Sequence, residues 1–212
     1  NTVSGTGTTD LGGDVTTTGH QIYSGAAQLT SDVRLTSSAN QNVTFGSTID
    51  GTHDLSIQTG GLTTFNGNVG TLSRLQTLTT DAVGQTVVNA PTIMADVVQF
   101  DDDVLLQRST EIDATTSASF GRSVQGTTGV EDLTVVSNTV TFNGLIANLA
   151  DLHVDASGQS TFNGNVDVSG FIRTDAAGTT KLNAASFDAS EVQFNDAIEL
   201  CRDTRITADR IS

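Results

Sequence analysis

The hexamer TFNGNV occupies positions 64–69 and recurs letter for letter at 161–166, with TFNGLI at 141–146 as a looser copy. A catalytic site is needed once, so literal repetition of a polar, surface-like hexamer points to one small structural unit that is copied and stacked. The phenylalanines carry the period. Phe45 to Phe65, Phe100 to Phe120 and Phe142 to Phe162 are each 20 residues apart and Phe120 to Phe142 is 22, with shorter steps of 12 from Val88 to Phe100 and from Leu182 to Phe194. A step of about 20 residues, filled with stretches such as NVTFGSTI and LTVVSNTVTF and punctuated by Gly, Asn and Asp, has the length and texture of one coil of a parallel β-helix. The expected fold is all-β: a parallel β-helix (β-solenoid) with about 20 residues per coil and about ten coils.

Within a coil, short strands alternate side chains, so Val43, Phe45 and, after a turn, Ile49 are expected to point inward while Thr44 faces out. Coils stacked about 4.8 Å apart make a rod on the order of 50 Å long and turn like positions into columns. Tyr23, Phe45, Phe65, Phe100, Phe120, Phe142, Phe162 and Phe194 are therefore expected to form one or two inward aromatic stacks. Asn66, Asn143 and Asn163, each followed by Gly67, Gly144 and Gly164, are expected at coil corners, the Asn in the left-handed region and the Gly at positive φ. The competing reading of Asn-Gly as a hairpin turn gives no reason for a 20-residue period.

A longer repeat overlies the short one. QIYSGAAQL (21–29), QFDDDVLL (99–106) and QFNDAIEL (193–200) align, and TTDAVGQTVVNA (79–90) aligns with RTDAAGTTKLNA (173–184). These matches divide one continuous solenoid into a lead-in at 1–13, a repeat unit at 14–92, a second unit at 93–186 with one extra coil (VDASGQSTFNGNV, 154–166), and the start of a third at 187–212.

Composition agrees with thin stacked coils. Only 36% of residues are hydrophobic and 5% aromatic, with no Trp; that supplies narrow apolar columns better than one thick core. The in-register recurrence of the apolar residues argues against a disordered linker. With 24 acidic and 9 basic residues the formal net charge is −15, which argues against nucleic acid and membrane surfaces as partners, since both attract basic proteins. The single Cys201 leaves no internal disulfide. No run is apolar enough to insert in a membrane, and NTVSGTGTTD lacks Met and a signal-peptide pattern, as expected of a segment cut from something longer.

The stretch DVTTTGHQIYSGAAQLTSDVRLTSSANQNVTFGSTIDGTHDLSIQTGGLTTFNGNVGTLSRLQTLTTDAVGQTVVN (14–89) resembles the tandem repeats of very large bacterial surface and secreted proteins, the filamentous-haemagglutinin-like and autotransporter-type β-solenoid adhesins. The resemblance extends over nearly the whole chain. It implies a right-handed parallel β-helix acting outside the cell as a stalk, adhesive fibre or biofilm matrix component, and it carries no catalytic residues over to this chain.

Candidate chemistry is sparse. Asp101, Asp102 and Asp103, with Asp96 before them and Glu111 after, form the densest carboxylate cluster and the one calcium candidate, although a solvated turn is the plainer reading and no EF-hand loop or calcium-binding nonapeptide is present. Asp113 with Glu131, or Asp132 with Asp155, would be the carboxylate pair of a glycan-cleaving β-helix. His20, His53 and His153 lack ligand spacing, no G-x-S-x-G is present, and Cys201 reads as a small buried hydrophobe. Thr-x-Thr in VTTT (15–18), TLTT (77–80) and TVT (139–141) is the pattern of an ice-binding face, but it does not recur in every coil.

The sequence thus predicts no enzyme and no cofactor other than calcium. The expected role is a structural and adhesive segment of a bacterial extracellular or cell-surface protein. Its expected partners are its own kind, through end-to-end or lateral solenoid contacts, together with cell-surface glycans or other matrix proteins. The alternative is a glycan-binding or glycan-cleaving β-helix of tailspike or lyase type.

Overall fold

The computed structural model describes residues 2–3, 7–175 and 177–212. Asn1 and residues 4–6 of the lead-in, and Ala176 of the second TDA stretch, lie outside them. The described residues contain short strands and no helix, hence none long and apolar enough to cross a membrane. Neighbouring strands pair in parallel, and successive rungs about 20 residues apart stack into a β-solenoid of about ten turns.

Three walls enclose the core. Wall one is an 11-stranded sheet that climbs from Thr2–Val3 through Gln21–Tyr23, Val43–Phe45 and Leu62–Phe65 to Arg205–Thr207. Wall two starts with Thr9–Leu11, Ala27–Leu29 and Ile49–Asp50 and continues through single bridges from Ile49 to Val69 to Ile93. Wall three starts with Val15–Thr17, Val33–Ser37, Asp54–Gln58 and Leu75–Thr80. In mid-rod the long strands Thr92–Phe100, Thr110–Phe120, Leu133–Phe142 and Leu152–Phe162 serve walls two and three in turn. Their register slips after Ala95, Ala114 and Ser137, as at a β-bulge, where a strand bends without ending.

Side-chain alternation shows the same corner. Along Thr110–Phe120 the buried residues are Thr110, Ile112, Ala114, Ala118 and Phe120, and the three consecutive outward residues 115–117 mark the bend. Val43, Phe45 and Ile49 are buried and Thr44 is not, as the alternation predicts.

The core is a chain of rings. Tyr23, Phe45 and Phe65 stack at centroid distances of 5.2 and 5.7 Å, and Phe100, Phe120, Phe142 and Phe162 continue at 6.1, 4.7 and 5.3 Å. The two runs lie on different walls. Phe65 ends a wall-one strand and is followed one rung up by Val88, whereas Phe100 ends a wall-three strand above Thr80. The stack crosses the thin core between them at 6.4 Å. It crosses again from Phe162 to Phe187 on wall one and from there to Phe194 on wall two, at 5.4 and 6.0 Å with rings edge-on. Phe187 was not among the expected ring positions; it lies in register with Val166, directly above the second TFNGNV corner.

Candidate functional site

The Asn-Gly corners differ from expectation in their backbone. Asn66, Gly67, Asn143, Gly144, Asn163 and Gly164 all lack positive φ, which among the described residues falls instead at Asn40, Asn148, Gly51, Gly70, Gly84, Gly129 and Gly178. Glycine is required at the corners for a different reason, close approach between rungs. A Cβ on Gly67 would meet the Ser47 carbonyl carbon at 2.5 Å, one on Gly144 would strike the Arg122 main chain, and one on Gly164 would strike the Gly144 carbonyl. The asparagines form an axial ladder: Asn163 Nδ2 donates to Asn143 Oδ1 at 2.8 Å and Asn183 Nδ2 donates to Asn163 Oδ1 at 3.0 Å. A shorter ladder joins Asn89 Nδ2 to Asn66 Oδ1 at 3.3 Å. Asn183 and Asn89 were legible as Asn following a strand, without the Gly that drew attention to the others.

The three aspartates of the DDD turn point to three different places. Phe100 is inward, so parity turns Asp101 out, Asp102 in and Asp103 out. Asp101 Oδ2 accepts from Gln99 Nε2 at 2.7 Å, and Asp103 Oδ1 accepts from the Ser123 amide and hydroxyl. Asp102 is only 2% exposed, and its carboxylate accepts from the Thr80 hydroxyl at 2.9 Å and the Thr86 hydroxyl at 2.8 Å, both on the rung below. Burial raises its pKa to about 6, against the lowering effect of the two hydroxyls. Asp102 is therefore a buried rung-to-rung lock and not a residue of a solvated turn. Among the described residues no group of three His, Cys, Asp or Glu converges on a point that would hold a metal ion.

The lock is built twice. Asp196 accepts from Thr174 at 2.9 Å and Thr180 at 2.8 Å, with the same sequence offsets of 22 and 16 that separate Asp102 from Thr80 and Thr86. The long sequence repeat thus reproduces a Thr-Asp-Thr lock, with the first Thr of each directly beneath a ring: Thr80 pairs with Phe100 and Thr174 with Phe194.

The other carboxylates are engaged separately. Asp113 pairs with Arg74 at 2.7 Å, and that guanidinium also donates to the Ala95 and Asp113 carbonyls, clasping two rungs. Glu131, 3% exposed, closes its own loop by accepting from the Thr128 hydroxyl at 2.6 Å and the Gly129 amide at 2.9 Å. Burial raises its pKa, but the Thr128 hydroxyl and the loop amides outweigh it and the net shift is downward. Asp132 hydrogen-bonds Ser109. Asp155 stands against Asp175: burial raises its pKa, the Asp175 charge and hydrogen bond raise it further, and His153 opposes them. The structure therefore sets Asp113 apart from Glu131, and gives Asp155 the partner Asp175, which sequence spacing did not suggest.

His20 Nδ1 accepts from the Asn42 amide, and His53 Nδ1 lies 3.5 Å from the Asp32 carboxylate. Cys201 is exposed rather than buried, because it follows a strand, Ala197–Leu200, that is exposed along its whole length. At the other end of the ring chain, Tyr23 donates its hydroxyl to the fully buried Gln21 at 2.9 Å, and burial pushes its pKa up to about 12. Comparison with known proteins finds no matching family, no matching curated protein and no matching solved structure.

Proposed function

We propose that this chain is a structural and adhesive segment of a large bacterial extracellular or cell-surface protein, a rigid rod whose work is mechanical. The observation that supports this most is the continuous ring chain from Tyr23 to Phe194, in which no centroid step exceeds 6.4 Å. The Thr-Asp-Thr locks, the amide ladder and the Arg74 clasp act along the same axis, so that each rung is held by its neighbours. A net charge of −15 keeps such rods soluble and favours glycans or matrix proteins over nucleic acid as contacts. End-to-end contact with a second copy would cover Leu200 and Ile211, which stand in register with the buried Leu182 and Val192.

Single-molecule pulling along the axis tests the reading. Stepwise peeling, one rung at a time, is expected; a single collapse at low force would overturn it. The Asp155–Asp175 carboxylate pair beside His153 is what favours the runner-up, glycan cleavage. That reading requires release of reducing ends from a polysaccharide panel, and loss of that release in Asp175→Asn.

A further inference from the structure

We propose that the Asn-Gly corners are sites of spontaneous covalent modification, graded by the amide ladder: Asn66 and Asn143 convert to isoaspartate and aspartate, while Asn163 is held back. The glycine amide nitrogen, after losing its proton to solvent, attacks the asparagine Cγ. An N–Cγ bond forms, Nδ2 takes up a proton from solvent, the Cγ–Nδ2 bond breaks, and Nδ2 leaves as ammonia. Water then opens the cyclic imide at either carbonyl. No electrons are transferred, and each event adds one negative charge. A following glycine leaves the attack unhindered, but the asparagine side chain has to swing toward that nitrogen and free Nδ2 before it reacts.

All three sites share the local sequence Thr-Phe-Asn-Gly, so their difference comes from the rungs around them. Asn163 is pinned at both ends, its Nδ2 donating to Asn143 at 2.8 Å and its Oδ1 accepting from Asn183 at 3.0 Å. Asn143 and Asn66 stand at the feet of their ladders. Phe142 pairs with Phe120 and Phe65 with Phe45, which places Gly121 and Gly46 beneath them, and a glycine has no side chain to hold an amide. Asn66 and Asn143 are also exposed, whereas Asn163 is partly buried. Conversion at Asn143 to isoaspartate lengthens the main chain at the corner where Gly144 packs on Arg122 and sets a carboxylate beside Asn163.

The test is peptide mapping by mass spectrometry, with isoaspartate labelling, after incubating the folded protein in mildly alkaline buffer. Asn163 is expected to convert about five-fold or more slowly than Asn143 and Asn66, the worth of roughly one net hydrogen bond. In urea the three rates should become equal. Asn183→Ala should raise the Asn163 rate toward that of Asn143 and leave Asn66 unchanged. Equal rates in the folded wild type would overturn the proposal, as would an Asn163 rate indifferent to Asn183→Ala. Asn66 in the same sample reports whether the variant is folded; if Asn66 reacts at its urea rate, the wild-type comparison decides alone.

Discussion

Replacing Asp102 with Asn should remove a pH dependence that the buried lock confers on the whole rod. Burial lifts the Asp102 carboxyl from 3.8 to about 6 in the folded state. Because the folded carboxyl holds its proton more tightly than the unfolded one, its contribution to stability is complete below about pH 4 and is lost as pH rises through about 6. The full gap is worth about 3 kcal/mol, of which about 1 kcal/mol falls between pH 5 and pH 7; above pH 7 the effect levels off. For a chain of this length that interval corresponds to about 2–4 °C in melting temperature. Asn is neutral at every pH and can donate to one Thr hydroxyl while accepting from the other, so the wild type should lose about 1 kcal/mol more than the variant over that interval. Melts followed by far-UV circular dichroism on both proteins from pH 4 to pH 8 measure the difference directly. Other carboxylates titrate in both proteins and cancel. Parallel profiles would show that the Asp102 carboxyl is not held neutral by its burial, and the reasoning would be wrong.

Two further outcomes follow from the packing. Phe142→Ala removes a fully buried ring lying 4.7 Å from Phe120 and 5.3 Å from Phe162 and should destabilise by about 3–5 kcal/mol in urea melts; a loss under about 1 kcal/mol would mean that the ring chain collapses to fill the gap. Gly164→Ala should cost about 1–3 kcal/mol, because its Cβ meets the Gly144 carbonyl of the rung below, whereas Gly19→Ala, whose Cβ meets nothing, should be close to neutral. Equal effects in the two glycine variants would refute the close-approach account.

The stacking period was legible because an inward ring closes a strand about every 20 residues, and strand parity fixed which side chains turn in. Parity also reads Asp102 as inward, between outward Asp101 and Asp103, but a run of three carboxylates suggests a solvated turn, and the two Thr hydroxyls that make burial tolerable lie 16 and 22 residues away. The wall on which each ring sits was not legible. Phe65 and Phe162 sit in the same hexamer, TFNGNV, yet one closes wall one and the other wall three. That assignment depends on how many residues every earlier corner has absorbed. The Asp155–Asp175 contact was hidden for the same reason, since it depends on a register set by the whole preceding turn.

The reuse of TFNGNV at two different corners explains why the long repeat is not a whole number of turns. At 64–69 the hexamer leads from wall one to Val69 on wall two; at 161–166 it leads from wall three to Val166 on wall one. The TFNG corner needs only local conditions: an inward ring at the end of a strand, an Asn that can join a ladder, and a residue without Cβ where rungs approach. Two of the three corners present the full set, wall one to wall two at Phe65-Asn66-Gly67 and wall three to wall one at Phe142-Asn143-Gly144 and Phe162-Asn163-Gly164, whereas the corner from wall two to wall three is a bend within a strand at 115–117 and reads Asn195-Asp196 after Phe194. The ring alone recurs on every wall: Tyr23, Phe100 and Phe194 end strands on walls one, three and two, so each long repeat advances the chain by whole turns plus two walls. The Thr-Asp-Thr lock moves with it, spanning walls three and one at Asp102 and walls two and three at Asp196. Each long repeat thus carries its ring and its lock to a new corner while the rungs around them stay paired.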